Sequence, residues 1–92
     1  MITVHKFSLS PIDNYIDIAI AGDAPRVVLI AKDKHDHWCM WVELDTADAI
    51  KTHRVVLHGT GHAVQLGCNH IGSMVDNPYV WHFYSPTLRK AQ

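Results

Sequence analysis

Tyr15-Ile16-Asp17-Ile18-Ala19-Ile20 decides the fold. Its three isoleucines fall on every second residue with Tyr15, Asp17 and Ala19 between them, which is the period of a half-buried strand and not of a helix. β-branched side chains suit that pleated, one-sided environment. Ala21-Gly22-Asp23-Ala24-Pro25 ends the run in turn-forming residues. Outward from this segment the pattern repeats. Residues 2–9 alternate weakly before Ser10-Pro11-Ile12-Asp13-Asn14 breaks them, and Arg26 to Ala31 is a nearly continuous apolar run. His37 to Leu44 carries Trp38, Met40, Val42 and Leu44 on one side, and the polar Lys32 to Asp36 between these two runs has the length of a hairpin loop. Thr52 to His58 reads as a strand. Ile71 to Val75 and Tyr79 to Ser85 pair as a hairpin around Asp76-Asn77-Pro78.

Helical stripes are nearly absent. Thr46 to Lys51 has room for one helical turn capped by Asp45 or Thr46, and Ala63 to Leu66 for another, both too short to organise a fold. The expected architecture is all-β: a small antiparallel sheet, sandwich or open barrel of about six or seven short strands with at most one short helical turn. The 92 residues form one small domain, 1–92, with 86–92 as a flexible polar tail.

Composition excludes several classes of partner. Eight Lys and Arg against nine Asp and Glu give a net charge of −1, which is no footprint for duplex nucleic acid or an anionic membrane. Eight histidines make charge responsive to mild acid. Cys39 and Cys68 sit in no C-x-x-C pair and fit a reducing compartment, with their pairing left open by sequence. The start of the chain lacks the apolar core of a signal peptide, and no apolar run is long enough for a membrane helix, so the expectation is a soluble intracellular protein.

The segment with most chemical content is Arg54-Val55-Val56-Leu57-His58-Gly59-Thr60-Gly61-His62, a strand running into a glycine-spaced turn. Gly59 and Gly61 permit positive φ and close approach, and successive amides in such a turn form an anion-binding nest. It is not a P-loop, because no Lys-Ser/Thr follows, and not a dinucleotide fingerprint. The spacing His58-x-x-x-His62 presents a zinc pair only on a helix, which the two glycines disfavour. His35 and His37 with Asp33 and Asp36 lie on the hairpin tip and read as a polar loop facing solvent, so no metal or other cofactor is expected. No nucleophile–base pattern marks a catalytic site. The aromatics Trp38, Trp41, Tyr79, Trp81, Phe83 and Tyr84 are core or interface rings by default.

Taken together, Thr3-Val4-His5-Lys6-Phe7-Ser8-Leu9, Cys39-Met40-Trp41-Val42, Arg54-Val55-Val56 leading to Gly59-Thr60-Gly61-His62, His70-Ile71-Gly72 and Val80-Trp81-His82 resemble a family of short phage and prophage proteins that carry a domain of unknown function. The resemblance spans about residues 2–84. It implies a phage accessory protein acting against a host process or defence system in the cytoplasm of the infected bacterium. The chain departs from the family pattern at Ala63-Val64, where proline is usual, which implies a less rigid exit from the loop.

The resulting expectation is a non-enzymatic homo-oligomer that binds and sequesters a phosphorylated small molecule such as a nucleotide immune signal. Arg54, His58, Gly59, Thr60, Gly61 and His62 would hold the phosphate, and Trp81 or Tyr84 would stack on the base. The alternative expectation is a protein-binding inhibitor of a host or defence factor, using an edge strand or an aromatic patch.

Overall fold

The computed structural model describes residues 1–64 and 66–91. Each alternating run becomes a strand: β1 (Ile2–Ser8), β2 (Tyr15–Ala21), β3 (Arg26–Lys32), β4 (Trp38–Asp45), β5 (Ile50–Gly59), β6 (Asn69–Asp76) and β7 (Tyr79–Ser85), followed by a two-residue β8 (Arg89–Lys90). The all-β expectation holds, and no helix is present among the described residues. Residues Thr46 to Asp48 form a turn and Ile50 already belongs to β5, so the connection there is non-helical. The turn expected from Ala63 to Leu66 includes Gln65, which lies outside the described residues.

The strands form two four-stranded sheets, in the orders β1-β4-β3-β8 and β2-β5-β7-β6, neither closed into a barrel. Neighbours pair antiparallel except β8, which lies parallel to β3. One face of each sheet is apolar, and the two faces pack against each other as a sandwich. Val27, Ile30, Met40, Val42 and Leu44 come from the first sheet; Ile20, Val55, Ile71, Met74 and Phe83 come from the second. Trp38 bridges them, its ring centroid 6.0 Å from Phe83 in an edge-on arrangement and 6.2 Å from Trp81. Such aromatic pairs add attraction beyond their burial.

Two bulges re-aim side chains. One falls between Val27 and Leu29, the other between His70 and Gly72. The second lets Ile71 turn inward while His70 and Ser73 remain on the outer face. Gly72 is required by proximity: a Cβ there would lie 2.9 Å from Ile30 Cδ1, closer than side chains tolerate, so a bare backbone lets β3 and β6 approach.

The polar β3–β4 loop is held by Asp33. Its carboxylate accepts hydrogen bonds from Lys6 Nζ at 2.8 Å and from the amides of His35 and His37 at 2.9 and 3.0 Å. The Lys6 bond first, then these amides, holds its carboxyl well below the usual carboxylate range. A depressed folded-state value means the stabilisation is complete above the ordinary aspartate pKa, about 4, and is lost as the pH falls further toward the folded value. Asp33→Asn is therefore expected to lower stability at pH 7 and to show a shrinking deficit at pH 3. Urea unfolding at the two values checks this; an equal deficit at both would show that the charge is irrelevant.

The chain beyond Ser85 does not run as the frayed tail its polar composition suggests. Leu88 is fully buried, and Arg89 and Lys90 pair with Arg26 and Val27. The Ser85 hydroxyl accepts hydrogen bonds from the amides of Thr87 and Leu88, and Thr87 Oγ1 lies 2.7 Å from Nδ1 of the buried His53. One apolar side chain at the right spacing is enough to anchor the segment.

Candidate functional site

β5 delivers its glycine turn against the end of β7, because Gly59 pairs with Trp81 and His58 with His82. The turn is tight: the His62 amide donates to the Gly59 carbonyl at 3.1 Å, and the Gly59 amide donates to His62 Nδ1 at 3.1 Å. The second bond fixes Nδ1 of His62 as an acceptor and leaves its proton on Nε2. Gly61 has φ of 90°, a region that favours glycine, so the positive-φ expectation is met there. Two of the turn's amides thus serve the turn itself. Those of Thr60 and Gly61 lie outside this pair of bonds.

Two hollows flank the turn and share Gly59, Thr60 and His62. On one side an open cleft of about 520 Å³ is walled by Pro78, Tyr79, Val80 and Trp81. Tyr79 is 60% exposed, with its ring centroid 5.7 Å from that of Trp81 and tilted 37°. On the other side a smaller hollow of about 190 Å³ is lined by His58, Gly61, Val64, His82 and Tyr84. His58 sets its ring edge-on to Tyr84 at 5.5 Å, and its Nε2 is buried with no hydrogen-bond partner among the described residues. A buried polar atom without a partner costs about 1–3 kcal/mol, which an incoming hydrogen-bonding group removes.

Behind this second hollow runs a hydrogen-bonded chain. Thr60 Oγ1 lies 3.1 Å from His82 Nε2, His82 Nδ1 lies 2.9 Å from Ser73 Oγ, and Ser73 Oγ lies 2.9 Å from His70 Nε2. Ser73 has a single hydroxyl proton, so it donates to one imidazole and accepts from the other. The network is satisfied running in either direction when both rings change tautomer together. Burial, with Lys90 and His82 as further positive neighbours, holds His70 below the ordinary histidine value, although a bond to the Gly72 backbone opposes this. These groups set hydrogen-bond donors and acceptors along the wall of the hollow, a surface able to bond a ligand oxygen.

The residues singled out from sequence are only partly brought together. His58, Gly59, Thr60, Gly61, His62 and Tyr84 meet around the turn, and Trp81 lies on its opposite flank with Tyr79. Arg54 stands apart. Its guanidinium makes two bonds to Asp17, at 2.9 and 3.0 Å, and lies 3.9 Å over the Tyr15 ring. The same bond holds Asp17 below its usual carboxylate range. His70, Ser73, Tyr79 and His82 were not singled out as site residues. Period-2 spacing on β7 places His82 beside Tyr84 on one face, but the bulge after His70 hides the match from β6. Cys39 and Cys68 are both free thiols, and burial pushes the Cys39 thiol up.

A further hollow at the far end of the sandwich holds Asp23, Arg26, Glu43, Asp45, Asp48 and Arg89. Most of its charges are engaged: Arg26 with Glu43 at 2.6 Å, Asp23 with Lys51 at 3.4 Å, and Arg89 with the Ala24 carbonyl. No cluster of three or more His, Cys, Asp or Glu among the described residues is arranged to hold a metal ion.

Residues 1–92 match the family described as Domain of unknown function (DUF7352). The chain belongs to this family. No curated protein and no solved structure matches it. The two-sided turn is therefore the chemistry that this DUF7352 chain itself offers. No helix among the described residues is long and apolar enough to cross a membrane.

Proposed function

We propose that this chain is a small binding protein for a phosphorylated, ring-bearing ligand of the nucleotide class, held across the 59–62 turn. The observation that carries the reading is that an aromatic cleft and an imidazole-lined hollow meet at the same three residues, Gly59, Thr60 and His62. A base stacks on Tyr79 and Trp81, and phosphate oxygens meet the Thr60 and Gly61 amides, the His62 Nε2 proton and the unpartnered His58 nitrogen. Arg54 is not needed for this pose, because Asp17 already neutralises it. Proteins that only hold a ligand act by sequestration. In the phage setting that the sequence resemblance implies, the ligand is a nucleotide signal of host defence and the site of action is the infected cell's cytoplasm.

The test is a thermal-shift titration with inorganic phosphate, a nucleoside, mononucleotides, cyclic dinucleotides and ADP-ribose. A ligand that binds only the folded state stabilises it by about 2.7 kcal/mol at a hundred times its Kd. Tyr79→Ala is expected to weaken the best nucleotide about tenfold or more, as loss of one base stack does, while leaving stability nearly unchanged because the ring is exposed. Thr60→Val is expected to weaken it without touching the stack. If no phosphorylated compound raises the melting temperature, the nucleotide reading is wrong. The protein-binding alternative, acting through an edge strand or an aromatic patch such as exposed Leu29 beside Trp41, then remains, and predicts a stoichiometric host-protein complex that Trp41→Ser abolishes.

A further inference from the structure

The 59–62 turn stands between two hollows of different size, and each has an aromatic wall: Tyr79 and Trp81 on the wider side, Tyr84 on the narrower. Every described residue that lines either hollow is a glycine, an apolar or hydroxyl-bearing side chain, or an imidazole, so the lining holds no permanent charge. Two cations close by in the fold are placed elsewhere. Arg54, earlier on the same strand as His58, forks onto Asp17, and Lys90 lines a separate hollow with Val27, Ile71 and Ser73. This composition discriminates between kinds of phosphate. A phosphate monoester carries about −1.5 to −2 charges at neutral pH, and taking that charge out of water calls for a matching cation, such as a forked arginine or a lysine. A phosphodiester has no second ionisable oxygen and stays singly charged. Backbone amides and imidazole N–H groups offer partial charges, which match one negative charge better than two.

We propose that the ligand class of the 59–62 turn is a phosphodiester joining two ring-bearing halves, with its singly charged phosphate over the turn and one half in each hollow. The inference rests on the nucleotide reading above and narrows it from phosphorylated ligands in general to diesters. A terminal phosphate ends at the turn and leaves the narrower hollow unused, whereas a diester has a second ester arm that continues past it. The sizes agree with this division: the cleft of about 520 Å³ takes a whole nucleoside against Tyr79 and Trp81, and the hollow of about 190 Å³ takes little more than one ring against Tyr84. The polar groups agree as well. His62 belongs to both hollows, while His58, with its unpartnered Nε2, belongs only to the narrower one. A phosphate bonded to both residues therefore lies at the junction, where its two ester arms can part to either side.

The experiment is isothermal titration calorimetry on the full chain at neutral pH, with four probes that share one base: a dinucleoside monophosphate, a 3′,5′-cyclic mononucleotide, a 5′-mononucleotide and a 5′-triphosphate, in an adenine and a guanine series. The dinucleoside monophosphate is expected to bind about tenfold or more tighter than the 5′-mononucleotide, the margin of one added base stack. The cyclic mononucleotide, a diester with one ring, is expected to fall between them. Tyr84→Leu is expected to remove most of the dinucleoside margin and leave the 5′-mononucleotide unchanged, whereas Tyr79→Ala weakens all four probes. Val64→Lys sets a permanent cation on the wall of the narrower hollow, at a position already 45% exposed, and is expected to favour the 5′-mononucleotide and the triphosphate several-fold relative to the diesters. Circular dichroism confirms the β spectrum of each variant. A 5′-mononucleotide or triphosphate that binds the unaltered chain as tightly as the dinucleoside monophosphate overturns this proposal and leaves the nucleotide reading standing. So does a dinucleoside margin that a folded Tyr84→Leu variant keeps in full. Silence from every probe in both series overturns the two readings together.

Discussion

Phe83→Ala is expected to lower unfolding free energy by about 3–5 kcal/mol, the range for removing a buried aromatic ring and leaving a cavity. Phe83 is fully buried and lies on β7, which has neighbours on both sides, so surrounding backbone cannot collapse into the space. Its ring also carries the edge-on contact with Trp38 that links the two sheets. A domain of this size has a total stability of about 5–15 kcal/mol, so the variant sits near the edge of folding at 37 °C. Phe83→Leu is expected to cost much less, under about 1.5 kcal/mol, because volume is largely kept. Urea denaturation followed by tryptophan fluorescence measures both. A loss below 1.5 kcal/mol for the alanine variant would falsify the claim that the sheets are packed through this ring. The consequence reaches the site, since His82 and Tyr84 flank Phe83 on the same strand with side chains on the opposite face. On the function proposed above, any nucleotide response in the thermal-shift assay is expected to fall with stability in Phe83→Ala and to survive in Phe83→Leu.

Much of this architecture was legible because one face of each strand is buried and the other is wet. That condition writes period 2 into the sequence, as Ile16, Ile18 and Ile20 show, and a one-residue slip would turn the whole apolar set outward. What could not be read was anything that breaks the period or crosses between strands. The bulge between His70 and Gly72 moves Ser73 opposite His82, so the chain from Thr60 to His70 depends on a register shift that spacing alone does not encode. Arg54 looked available as an isolated cation next to the turn. Its partner, Asp17, is 37 residues away and becomes its neighbour only when β2 pairs with β5. Tyr79 read as a core or interface ring, and only the fold separates the two: it opens the hairpin end of β7 beside Pro78 and stays exposed. The glycine turn was the reverse case. Its constraints are local, so Gly61 at positive φ and the convergence of His58, Thr60 and His62 followed from the residues themselves.

Leu88→Ala is expected to cost about 2–5 kcal/mol, a core-sized loss from a segment whose sequence reads as a tail. Residues 86–92 read Pro-Thr-Leu-Arg-Lys-Ala-Gln, with one leucine as the only large apolar side chain, too little for periodicity to register. The structure shows why one side chain suffices. Leu88 is fully buried, its amide and that of Thr87 bond to the buried Ser85 hydroxyl, and its carbonyl accepts from Asn69 Nδ2 at the start of β6. Thr87 in turn meets His53, whose other ring nitrogen lies 2.8 Å from the Gly22 carbonyl. Removing the leucine therefore does more than open a cavity. It loosens the clamp that holds β6, the edge strand that carries His70 and Ser73 to His82. Hydrogen exchange is the discriminating measurement. The amides of β6 and of residues 86–91 are expected to lose protection in Leu88→Ala ahead of those in β4, which is central in the other sheet. Uniform loss across both sheets would mean that Leu88 acts only as generic core, and unchanged protection in β6 would mean that the last strand is a bystander to the site.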